Sequence, residues 1–214
     1  SFQGRPLRGF DETFFGDPDF NRTEAEVHIL RGRLEHDFSS DLSVNASVQY
    51  ADYDKVYANI VPSGTNGTVV TLGGYQDAQQ RENLIGQANL VWNARTGTVD
   101  NTLLAGVEFM RQDSQNQRRN AIFSGTNTAP LAETIAVPPF SLGPLIRDRD
   151  SELSVFSAYI QDQLSIGEHI ELVAGLRFER FDLETAELLT GTPGDRVDEE
   201  VSPRIAAIFK PIEN

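Results

Sequence analysis

The chain has no cysteine, only two lysines (Lys55 and Lys210), one tryptophan and one methionine, and no long apolar run. Without cysteine no disulfide can form, and the redox compartment is left undetermined. No stretch approaches the eighteen or so apolar residues of a membrane helix, which excludes a helical membrane protein. A mean hydropathy of -0.35 reads as soluble. It leaves a membrane β-barrel open, because polar lumen faces and loops hide the lipid-facing half from any average. Positive charge is also scarce: the net charge is -14, which argues against nucleic acid as a partner. Most of the positive charge present is arginine, a rigid fork of donors suited to anionic groups, although the composition of a GC-rich genome would favour arginine equally. The chain starts at Ser1 with no leader-like apolar segment, as expected of a mature or excised piece.

Alternation is what the sequence does have. Residues 151–180, SELSVFSAYIQDQLSIGEHIELVAGLRFER, read as two long strands joined by a very short turn at 166–169. After the turn, Ile170, Leu172, Ala174, Leu176 and Phe178 fall on one face, and Glu171, Val173, Gly175, Arg177 and Glu179 on the other. Such runs exceed the usual soluble strand of about five or six residues. They match the roughly nine to eleven residues of a strand crossing a membrane in a tilted barrel.

The same pattern recurs along the chain. Residues 1–21 are aromatic, punctuated by glycine and proline, and read as loop. Strands are expected at 24–38, 42–50 (continuing through Tyr53 and Tyr57), 81–92, 102–111 and 201–211, beside the pair in 151–180. The cleanest sets Leu42, Val44, Ala46, Val48 and Tyr50 against Ser43, Asn45, Ser47 and Gln49. Connections alternate: short at 39–41, 94–100 and 166–169, long at 60–80, 112–148 and 186–200. Short turns on one side and long loops on the other are the habit of outer-membrane barrels. Phe38 and Trp92, beside short turns, suit an aromatic girdle. The expected fold is therefore all-β: an antiparallel up-and-down meander of about seven long strands. An odd count leaves two bare edges, which favours a section of a larger barrel.

Catalytic signatures are thin. His28, His36 and His169 lack metal-ligand spacing, and no nucleophile elbow, HExxH or phosphate loop is present. Arg31, Arg33, Glu35, Glu108, Arg177 and Arg204 resemble an acid–base set, but ion pairs lining a wet barrel interior account for them better. The loops are more informative. Arg111, Arg118, Arg119, Arg147 and Arg149 cluster at the ends of 112–148, with Phe140 inside that segment. Tyr53, Tyr57, Tyr75 and Arg81 flank 60–80. If both loops project from one side, these ten residues form a rim suited to a bulky, anionic, aromatic ligand. A merely solvated loop surface is the alternative.

The segments LLAGVEFMRQDS (103–114), SAYIQDQLSIGEHIELVAGLRFERFD (157–182) and SPRIAAIFKP (202–211) resemble the barrel of TonB-dependent siderophore receptors. RPLRGFDETFFGDPDFN (5–21) and LEHDFSSDLSVNASVQYADYDKVYANIVP (34–62) resemble its catecholate branch, and ferrichrome-type receptors share the layout. The resemblance implies a transmembrane barrel of twenty-two strands around an N-terminal plug. It also implies ferric siderophore uptake across the outer membrane of a Gram-negative bacterium, energised by TonB through the plug. Residues 1–214 are then a partial β-barrel domain without plug or closing strands. No cofactor is implied, since iron arrives as a siderophore chelate. An isolated section with a lipid-facing surface and open edges is expected to self-associate. The competing reading is a soluble β-sandwich or adhesion domain, in which the stripe of Leu42, Val44, Ala46 and Val48 would pack in a core. An outer-membrane lipase or protease lacks any triad.

Overall fold

The computed structural model describes residues 8–211. They form β1 (Arg22–Asp37), β2 (Leu42–Thr65), β3 (Val69–Thr96), β4 (Val99–Phe123), β5 (Thr128–Pro130), β6 (Phe140–Ile166), β7 (Ile170–Glu187) and β8 (Thr192–Phe209). The seven long strands pair antiparallel in the order β1-β2-β3-β4-β6-β7-β8, and the three-residue β5 pairs β3 off that path. The meander expected from alternation is therefore the meander observed. Residues 8–21 carry no strand; the expectation for 1–7 lies outside the described residues.

Two expected long loops, 60–80 and 186–200, are instead mostly paired strand, and the third, 112–148, is paired at both ends. β2, β3, β4 and β6 run for 24, 28, 25 and 27 residues, so the β2–β3 and β7–β8 connections shrink to 66–68 and 188–191. Only 124–139, which includes β5, remains a long connection. The physical reason lies in what alternation reports. Periodicity two marks a strand with one apolar and one wet face. Beyond the apolar band both faces are wet, so stretches such as 76–83 (QDAQQREN) and 111–120 (RQDSQNQRRN) show none. Their backbone groups are nonetheless satisfied by the neighbouring ladders, which decide the outcome over weak propensity.

The three turns expected to be short, now 38–41, 97–98 and 167–169, all lie at one end of the sheet. Gly97 and Gly167 adopt φ of 64° and 59° in two of them, a left-handed conformation that side chains disfavour. In the third, Ser39 Oγ accepts hydrogen bonds from the Asp41 and Leu42 amides at 3.2 and 3.1 Å. From these turns the apolar stripes climb through 42–50, 84–92, 103–109, 156–166, 170–178 and 201–209, close to the length that a tilted membrane strand requires.

Register joins the stripes into one band. Val44 faces Leu90, Leu90 faces Ala105, Ala105 faces Ile160, Ile160 faces Leu176, and Leu176 faces Pro203. The described residues place no second sheet over it. Val48 is 50% exposed, Leu176 50% and Ile205 86%, so the soluble-sandwich reading fails. Trp92 and Phe209 sit on this face at the short-turn end.

Among the described residues, one water-excluding cluster is present, and it lies at the opposite end, by the 66–68 turn. Ile60, Val70, Leu72, Ala129 and Ile135 are buried there, with Phe15, Phe20, Phe123 and Phe140 packed against them. It ties the 8–21 segment, the β2–β3 hairpin and the 124–139 connection together. Asn21 reinforces the tie: its Oδ1 accepts from the Ile60 amide at 2.8 Å, and its Nδ2 donates to the Ile60 carbonyl at 3.0 Å.

Candidate ligand-binding face

Strand alternation sorts the ten candidate residues between two faces. One register row runs Tyr57, Asp77, Arg118, Arg147; another runs Tyr53, Arg81, Ser114, Ser151, Thr185. Arg149 faces Asn116 in the row between them, and Tyr75 faces Asn59 and Asn120 just above. Seven candidates thus share the polar face near the hairpin end: Tyr53, Tyr57, Tyr75, Arg81, Arg118, Arg147 and Arg149. The rim comes from opposed strands rather than from loops.

The geometry within that group is specific. Arg118 stacks over the Tyr75 ring with its guanidinium carbon 4.3 Å from the centroid, and donates to Asp77 Oδ2 at 2.8 Å. Arg147 donates to Asn116 Oδ1 at 3.2 Å, and Arg149 lies 3.7 Å from Glu187. The Arg81 Nε is buried without a hydrogen-bond partner in the described structure. Lys55 adds a further cation 5.1 Å from the Tyr53 ring centroid. Lys55 and Asp77 were passed over in the sequence; strand parity with Tyr53 and Arg81 would have found both.

Arg111, Arg119 and Phe140 lie elsewhere. Arg111 is on the opposite face, 3.2 Å from Asp113 and 2.9 Å from Glu152. Arg119 donates to the Gly143 carbonyl at 3.1 Å, holding the irregular β4–β6 register. Phe140 packs edge-on against Phe20, with centroids 4.9 Å apart, in the apolar cluster.

The opposite face is acidic just beyond the apolar band. Asp52, Glu82, Asp113, Glu152, Glu184 and Asp195 occupy one continuous register row, one per strand, and line a groove of about 910 Å³. Like charges directly opposite one another destabilise a sheet. At this level of the sheet the carboxylate row lies on one face, with Arg111 beside it, and Arg81 with the Arg118–Arg147 row on the other.

Nearer the short turns, the polar face is a satisfied network. Arg177 Nη2 donates to Glu108 Oε2 at 2.6 Å, Ser157 Oγ at 2.8 Å and Glu179 Oε2 at 3.0 Å. Gly106 leaves the space that the Tyr159 ring occupies, and Gln87 Nε2 donates to the Tyr159 hydroxyl at 3.1 Å. Of the acid–base-like residues, Glu108 pairs with Arg177 and Arg33 with Glu35, while Arg31 and Arg204 donate to the side-chain carbonyls of Gln49 and Gln161. The histidines are equally unremarkable in function: His28 pairs with Glu26, His36 stacks on Phe38, and His169 contacts the Lys210 carbonyl.

Comparison with known proteins fits this wall. The metal-pseudopaline receptor CntO of Pseudomonas aeruginosa is 23% identical, across 92% of this chain and 29% of its own length. The probable TonB-dependent siderophore receptor PiuA of Acinetobacter baumannii is 22% identical, across 99% and 32% respectively. The crystal structure of PiuA superposes with a TM-score of 0.80 over 94% of this chain and 32% of that one, at 21% identity. That of BauA, the ferric preacinetobactin receptor of Acinetobacter baumannii, gives 0.70 over 89% and 29%, at 19% identity. The chain spans about a third of the length of these relatives, and the two structures establish the fold, a section of barrel wall. A model of TonB dependent receptor-like β-barrels matches residues 2–214, so the chain belongs to that family.

Proposed function

We propose that this chain is barrel wall of a non-enzymatic outer-membrane receptor that takes up ferric siderophores in a Gram-negative bacterium, driven by TonB. The observation that carries the reading is the convergence of Tyr53, Tyr57, Tyr75, Arg81, Arg118, Arg147 and Arg149 on the polar face above an unburied apolar band. In a barrel the apolar band meets lipid and the polar face meets the lumen. Guanidinium and phenol groups there favour a bulky anionic chelate with aromatic rings, through charge-assisted bonds and ring contacts. Arg111, Arg119 and Phe140 support the wall that presents them. The related proteins named as siderophore and metal-pseudopaline receptors lend the same direction. Iron is cargo, carried inside its chelate, and the protein contributes no resident cofactor. Residues 1–214 act as part of a barrel domain, with a plug and TonB as partners of the whole receptor. Taken alone, the segment self-associates through its open edges and apolar band, with sedimentation as the check.

Uptake of radio-iron by cells lacking the encoding gene tests the reading. Loss of import for one class of ferric chelate, restored by the gene and abolished again without TonB, is the expected result. Wild-type growth of the deletion strain on every ferric siderophore supplied would sink it.

A further inference from the structure

Of the residues that face outward in the six apolar stripes, Asp162 alone carries a charge. Pairing on both sides fixes its place: it stands opposite Leu103 of β4 and Ala174 of β7. Ile160 and Leu164 flank it on the same face of β6. Since β6 is an interior strand, with β4 and β7 along its two edges, all the sheet neighbours of Asp162 are described.

None of those four aliphatic side chains can satisfy a carboxylate. The Asp162 Oδ1 is buried and has no hydrogen-bond partner among the described residues. An unpaired carboxylate in apolar surroundings is costly, and lipid brings no water to relieve it. Aspartate is also too short to lift its charge far toward the interface, as lysine and arginine do. Ionisable residues held within a membrane-spanning surface usually serve a function and have a partner.

Depth narrows what that partner can be. β6 ends at Ile166, beside the 167–169 turn. At roughly 3.3 Å per residue and a barrel tilt of about 40°, Asp162 is about 10 Å above Ile166 along the membrane normal. The headgroup layer is about 5–7 Å deep on each side of the hydrocarbon. Asp162 therefore stands at the inner border of the headgroups, in the register row that also holds Trp92, a residue type enriched at that level. Phosphate at that border is repelled by the carboxylate and ammonium is attracted. A primary ammonium adds three N–H donors to its charge, so one group answers both the negative charge and the unpaired oxygen. The aliphatic ring of Leu103, Ile160, Leu164 and Ala174 suits the acyl chains of the same molecule.

We infer that Asp162 anchors a phospholipid site on the outer surface of the wall, which takes a lipid with a primary ammonium headgroup from the leaflet at the short-turn end. The inference rests on the reading of this face as membrane-spanning, and its test separates the two. The full-length receptor in detergent is titrated with phosphatidylethanolamine or phosphatidylglycerol, and retained lipid is counted by native mass spectrometry. Asp162→Asn weakens phosphatidylethanolamine binding about tenfold, the effect of one lost charge-assisted bond, and leaves phosphatidylglycerol within about twofold. In phosphatidylcholine bilayers, whose quaternary ammonium has no N–H to donate, Asp162→Leu raises the thermal midpoint of the receptor. In phosphatidylethanolamine bilayers that gain disappears. Equal phosphatidylethanolamine binding by wild type and Asp162→Asn, or an equal gain from Asp162→Leu in both bilayers, overturns the inference. A protein captured in cells by a photo-cross-linker at position 160 overturns it too, by putting a protein partner where the lipid is placed. Ile160→Cys decides the membrane reading separately. Shielded from an impermeant maleimide in proteoliposomes, it upholds the wall whatever the lipid result; freely labelled, it refutes the wall itself.

Discussion

Asn21 does with a side chain what a strand residue does with its backbone. It donates to and accepts from Ile60 just before β1 begins, where β2 runs on past the last β1 pair. Asn21→Ala leaves both Ile60 groups without these partners, at about 1–3 kcal/mol for a buried polar group. Hydrogen exchange of the Ile60 amide in the full-length receptor should accelerate correspondingly; unchanged protection would mean that the clamp is not what holds 8–21 in place. Glu82 presents the opposite situation. It faces Asp52 on one side and Asp113 on the other, and no salt bridge to it is present among the described residues. Glu82→Gln should therefore raise thermal stability, by up to about 1 kcal/mol, and the gain should shrink in high salt. A loss of stability would show that this carboxylate has a cationic partner outside the described segment.

At the scale of the element, the apolar half of each strand was legible and the wet half was not. Leu42, Val44, Ala46 and Val48 announce β2 by their spacing. The continuation through Asp52–Tyr57 carries no alternation, because polar residues stand on both of its faces, and from Ala58 the strand enters the apolar cluster. Seven of the ten candidates share the polar face, because the tyrosines and arginines that drew attention in those extensions have the same strand parity. Arg111 was misplaced because strand parity, fixed only once β4 is known to continue to Phe123, sends it to the acidic face. Phe140 was drawn into the site because the apolar cluster depends on contacts between residues more than a hundred positions apart, such as Phe20 with Phe140. That cluster makes the hairpin end cohesive. Leu72→Ala should cost about 2–5 kcal/mol locally and loosen exchange at 58–72 and 121–140 together. The band at 42–50 should remain protected; loosening there as well would mean that the two regions unfold as one.

At the scale of the sheet, a carboxylate row on one face is set behind arginines on the other. The carboxylate row from Asp52 to Asp195 and the arginines from Arg147 to Arg31 lie back to back through a single layer of backbone. In a closed barrel this arrangement repels anions from the outer surface beyond the lipid and attracts them at the mouth, so anion capture should slow as ionic strength rises. The net charge of -14 hides this entirely, since it sums the two faces.

The orientation of this wall is the central claim, and because residues 1–214 hold no cysteine, single cysteines placed in them measure it directly once any elsewhere in the receptor is replaced. Single cysteines placed at Asn66 and Thr190, in the hairpin-end turns, and at Ser40 and Thr98, in the short turns, would be exposed on intact cells to a membrane-impermeant maleimide. The account predicts labelling at Asn66 and Thr190 in intact cells, and at Ser40 and Thr98 only after the outer membrane is permeabilised. Equal labelling of all four without permeabilisation would contradict a membrane-spanning wall, and labelling confined to Ser40 and Thr98 would invert it.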